Sequence, residues 1–139
     1  MVSGRRIGQV ARLTWRERAD LAVAIWELAR ASRRLAGRFG GQVAAEALAD
    51  STTAGFANAK LVARVAWAIP RAAAVVPWRA DCLRQAEAAR RWLGRNGVAV
   101  ELRLGARKGA DGKLNAHAWL LSSGQLVTGG ANEGYREFG

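Results

Sequence analysis

Asp81-Cys82-Leu83-Arg84-Gln85 carries the chain's one cysteine, and Asn115-Ala116-His117-Ala118-Trp119 carries its one histidine. Asp81 is a good N-cap, so the first segment opens a helix with Cys82 in its first turn. The second segment reads as the middle of a strand. A helix dipole and its first-turn amides favour thiolate, and an imidazole brought close can accept the proton. This is an arrangement that activates cysteine nucleophiles.

Outward from Cys82, Leu83, Ala86, Ala89 and Leu93 mark the buried side of a helix predicted to run to about Arg95. Arg90 falls at the margin of that side, with its charge reaching solvent. Asn96-Gly97 supplies the left-handed stop. Val98, Val100, Leu102 and Leu104 then alternate with Ala99, Glu101 and Arg103, a half-buried strand. Gly105 to Gly112 reads as a polar turn, Leu114 to Leu121 as a second strand, and Ser122-Ser123-Gly124-Gln125 as a tight hairpin turn. Gln125 to Thr128 begins a third strand, and Ala131 to Gly139 is too short and mixed to assign. If Ser122 pairs with Gln125, His117 faces Gly130.

Towards the N-terminus, residues 1–13 form a basic lead-in. Thr14 and Glu17 make a capping box for a helix whose apolar row is Leu21, Ile25, Leu28, Ser32 and Leu35. Gly40-Gly41 ends it, and a short helix from Gln42 to Leu48 leads to the capping-rich Asp50-Ser51-Thr52-Thr53. A further helix, about Ala57 to Ile69, presents Leu61, Val65, Ala68 and Ile69, and Pro70 interrupts or restarts it. Trp26 and Trp67 are expected to pack between these helices. Helices followed by a cysteine-bearing helix and an antiparallel sheet make an α+β fold without βαβ alternation. The expected organisation is a helical region over 1–74 and a catalytic region over 75–139, together one compact unit.

Bulk composition narrows the function. Half the 139 residues are apolar and 24% are charged, which suits a globular protein. A single cysteine allows no internal disulfide, and no apolar run resembles a signal sequence, so a cytoplasmic protein is expected. One cysteine with one histidine cannot readily assemble a zinc site. The formal charge is +11, but all the basic residues except Lys60, Lys108 and Lys113 are arginines, scattered through the helices without forming a block. That pattern does not call for nucleic acid.

Pro77-Trp78-Arg79-Ala80-Asp81-Cys82-Leu83 and Arg91-Trp92-Leu93-Gly94-Arg95-Asn96-Gly97 resemble the cysteine helix of the lasso-peptide leader peptidases. Leu102-Arg103-Leu104-Gly105-Ala106-Arg107-Lys108, Ala116-His117-Ala118-Trp119 and Val127-Thr128-Gly129-Gly130 extend the resemblance through the sheet. These peptidases are small transglutaminase-like cysteine proteases that remove the leader from a ribosomally made lasso precursor. The resemblance implies a papain- or transglutaminase-like fold and no cofactor. It makes Cys82 the nucleophile and His117 the general base and then acid. The Cys82 backbone N–H would be one oxyanion donor, and the indole N–H of Trp78 a second.

Relatives often place an aspartate on the strand after the histidine, and here the register puts a glycine there. The remaining options are a dyad, a backbone carbonyl holding the ring, or a third residue among Asn132, Glu133 and Asp111. The resemblance also implies partners: the precursor, a separate leader-recognition protein and a cyclase. With little room for its own recognition domain, the chain would be the peptidase half, its N-terminal helices docking the recognition protein or the leader. Two other functions fit the same residues. One is an acyltransferase using Cys82 and His117 on a small acyl donor. The other is a basic helical module that binds nucleic acid or an anionic surface.

Overall fold

A computed structural model describes residues 13–35, 52, 53, 55–130, 136 and 137. Among these residues, three helices precede most of a small antiparallel sheet: α1 (Trp15–Leu35), α2 (Ala59–Ala73) and α3 (Cys82–Arg95). The strands are β1 (Thr52–Thr53), β2 (Val100–Lys108), β3 (Leu114–Ser122), β4 (Gln125–Thr128) and β5 (Arg136–Glu137). The expected α+β class is what forms. The lead-in over 1–12, the Gly40-Gly41 break and the Gln42–Leu48 helix lie outside the described residues.

Each helix begins where its capping residue dictates. The Thr14 hydroxyl accepts the Glu17 amide at 3.1 Å and donates to the Glu17 carboxylate at 3.0 Å. Asn58 caps α2 by accepting the Leu61 amide. Pro70 does not end α2, which continues to Ala73. So close to the C-terminus the ring forfeits one backbone bond, and the Ala74 amide still closes on the Pro70 carbonyl at 3.1 Å.

The face that α1 buries differs from its apolar row. Asp20, Ala24, Glu27, Leu28 and Ala31 point inward, while Ile25 and Trp26 are exposed. Trp26, expected between helices, is 49% exposed and lies under the guanidinium groups of Arg30 and Arg95. Trp67 is half-buried, with Arg71 over its ring. The rotation has a cause that helical periodicity cannot reveal. Alanines let neighbouring helices approach, and each inward acid meets an arginine from another helix. Asp20 takes Arg64 of α2 in a two-pronged bond, at 2.6 and 3.0 Å, which also holds that guanidinium's pKa above its usual value. Glu27 pairs with Arg95 of α3.

Glu27 is only 2% exposed, and burial raises its pKa above the usual 4.5 despite the opposing pull of Arg95, Arg30 and Arg34; Glu87 adds to the rise. The folded state therefore keeps this proton to higher pH than the unfolded chain does. Glu27 costs stability as pH rises from below 4.5 through its raised value. Glu27→Gln should thus gain stability relative to wild type between about pH 4 and pH 7, because Arg95 is exposed enough to be hydrated alone. Urea melts at both pH values check this, and a wild-type advantage that grows with pH would contradict it.

The core lies between helices and sheet. Leu28 of α1, Leu61, Val65 and Ile69 of α2, and Ala86, Ala89 and Leu93 of α3 meet Val100, Leu102 and Leu104 of β2 with Ala118 and Leu120 of β3. Leu83 is half-buried at its edge, and α3 also buries Trp92. Arg90 does not simply reach solvent, because Glu87 binds its guanidinium at 2.9 and 3.0 Å.

β2 pairs with β3 from Glu101–Leu121 to Lys108–Leu114, so the predicted turn at Gly105 is strand as far as Lys108. β1 and β5 both join β2, the latter at Gly105 and Ala106. Pairing with β3 throughout, and with β5 at Gly105 and Ala106, overrides the low strand preference of Gly105 to Lys108. At the β3–β4 hairpin Ser123 and Gly124 have φ of 50° and 78°, the left-handed pair of a tight two-residue turn.

Candidate active site

Cys82 is the first residue of α3 and is half-buried. Asp81 fixes the start of that helix by accepting the Arg84 amide at 3.1 Å, and its other oxygen takes the Arg84 guanidinium at 2.9 Å. Gln85 completes the turn, its amide bonded to the Asp81 carbonyl and its side chain to the Ala80 carbonyl, both at 2.9 Å. The Cys82 amide opens the helix and has no acceptor one turn back. An amide at that helix position can donate to a developing oxyanion.

β3 brings the histidine to this helix end. The β3–β4 ladder stops at Leu120–Thr128, two residues short of Ala118. There the Ala118 amide donates to Cys82 Sγ at 3.4 Å. The sulfur is thereby seated against the strand, beside the residue that follows His117. His117 and Trp119, two apart and so on one face of β3, stack with ring centroids 5.8 Å apart and planes 25° from parallel.

The imidazole is also held at one edge. His117 Nε2 lies 3.0 Å from the Gly129 carbonyl oxygen. A carbonyl only accepts, so Nε2 carries the hydrogen and, in the neutral ring, Nδ1 carries the lone pair. The register that predicted Gly130 opposite His117 starts correctly, with Ser122–Gln125 and Leu121–Leu126 paired. It then shifts between Leu120 and Leu121, so that Leu120 meets Thr128.

Of the proposed third members, Asp111 is exposed in the β2–β3 turn, where its carboxylate accepts the Lys113 amide at 3.0 Å. Asn132 and Glu133 lie outside the described residues. Trp78, four residues before Cys82, is partly buried against the core. Its indole N–H is buried without a hydrogen-bond partner among the described residues. Such a donor costs free energy unless something else completes it. Sequence reasoning missed the Ala118 amide and left the backbone carbonyl as one option among several. The Gly129-Gly130 pair directly after a strand was the available signal.

The family model of the transglutaminase-like superfamily matches residues 18–139. The chain belongs to the transglutaminase-like superfamily. That superfamily includes cysteine proteases, and the match begins at Arg18 within α1 and takes in α2, α3 and the described strands. Neither a search of curated proteins nor one of solved structures gives a match. No helix among the described residues is long and apolar enough to cross a membrane.

Proposed function

We propose that this protein is a cysteine peptidase that cuts the leader from a ribosomally made lasso-peptide precursor. The observation that carries the catalytic part is Cys82 Sγ at the α3 N-terminus, bonded to the amide of the residue after His117. The lasso part rests on the sequence resemblance from Pro77 to Gly130. In the proposed reaction His117 takes the Cys82 proton and sulfur attacks the scissile carbonyl carbon. The oxyanion that forms would be met by the Cys82 amide and the Trp78 indole. The C–N bond breaks as His117 returns the proton to the leaving amine. Water, deprotonated by His117, then splits the thioester and releases the leader. The test is to mix this protein with a candidate precursor and its recognition protein and read masses. Cleavage at one bond supports the proposal, and an intact precursor contradicts it.

The proposed partners are that precursor, a separate leader-recognition protein and the cyclase that closes the freed core, all in the cytoplasm. The exposed side of α1 supports docking of the recognition protein. Trp15 is 83% exposed beneath Arg18, and Trp26 carries Arg30 and Arg95 over its ring. Trp and Arg at a surface are what protein interfaces concentrate. Trp26→Ala should weaken that binding about tenfold or more, and the wild-type affinity should persist at moderate salt. Titration calorimetry at two salt concentrations reads both. Tight, strongly salt-dependent binding to duplex DNA, with no precursor cleavage, would favour the basic-module function instead.

A further inference from the structure

We propose that the main-chain carbonyl of Gly129 orients His117, in the place that a carboxylate or carboxamide side chain takes in triads of this kind. The proposal rests on His117 acting as the base. Three features of the fold deliver that carbonyl. The register shift between Leu120 and Leu121 moves the end of β4 by one residue, and the ladder then stops at Thr128. Gly129 turns the chain off the strand with φ of 88°. Its Cα packs so closely on β3 that an added Cβ would lie 2.5 Å from Trp119 Cβ and 2.6 Å from the Ala118 carbonyl oxygen. An L-residue at position 129 is thus strained in its backbone and blocked in space. Gly130, one residue on, has open space where a Cβ would go and no left-handed φ.

Trp119 links these constraints, because the residue whose Cβ abuts Gly129 also stacks its indole along the imidazole. The ring is held on its edge by a carbonyl and along its face by an indole, and both holds depend on the seat of Gly129. The orienting group is part of the backbone, so truncating an acidic or amide side chain should not remove it. Displacing the backbone should. Gly129 is a positioning residue in this account, since it acts on the base and not on the substrate.

The chain's one histidine makes the test direct. In the full-length protein with ¹⁵N-labelled histidine, at a pH where the ring is neutral, the wild type should show the Nε2–H tautomer. Gly129→Ala should lose that preference and alkylate Cys82 with iodoacetamide about tenfold more slowly or worse. Gly130→Ala should match wild type in both readouts. If Gly129→Ala fails to fold, the wild-type spectrum still decides, because a dominant Nδ1–H tautomer would overturn the proposal. So would a tautomer preference lost in Asn132→Ala or Glu133→Ala but kept in Gly129→Ala. The spectrum needs no substrate, so a failed precursor assay would refute the peptidase function without touching this result.

Discussion

Cys82→Ala should abolish the proposed leader cleavage while leaving the fold intact. Without the sulfur no acyl-enzyme can form, and losing a nucleophile of this kind lowers turnover by roughly 10⁴-fold or more. The structural cost is small by comparison. Cys82 is half-buried at the first position of α3, where alanine suits a helix, and Asp81 still caps the helix through the Arg84 amide. What goes is the long bond from the Ala118 amide to sulfur, a loss of about 1 kcal/mol. Mass spectrometry of the precursor and a thermal melt separate the outcomes. Full activity would remove Cys82 from the mechanism. Partial loss with a lower melting temperature would make it a buried structural residue.

His117→Ala should lower cleavage by at least about a hundredfold, the scale of lost general acid–base assistance. The effect should exceed what misplacing the strand could produce, since β3 is secured independently of the ring. It pairs with β2 over eight residues, and Ala118 and Leu120 remain in the core. Single-turnover cleavage with the recognition protein present measures this. A loss under about threefold, with the melting temperature unchanged, would show that His117 is not the base.

The elements that position the site were legible because short-range chemistry sets them. Asp81 announces the start of α3, Asn96-Gly97 its end, and the alternation of Val100, Leu102 and Leu104 the inward face of β2. What escaped depends on partners distant in sequence. Asp20 and Glu27 look like solvent-facing residues until Arg64 and Arg95 arrive from other helices. Gly105 to Lys108 looks like a turn until β3 and β5 pair with it. The Gly129 carbonyl could not be assigned from residue types, because every residue has a carbonyl. Its place beside the ring follows from where the β3–β4 ladder shifts and stops and from the turn at Gly129, which residue types do not reveal.

In the proposed mechanism Cys82 and His117 act as one unit, and the chain's single thiol lets one rate report on it. Iodoacetamide alkylation of the folded protein near neutral pH reads the nucleophilicity of Cys82 alone. The wild type should react about tenfold or more faster than His117→Ala. Equal rates with and without the imidazole would contradict the pairing.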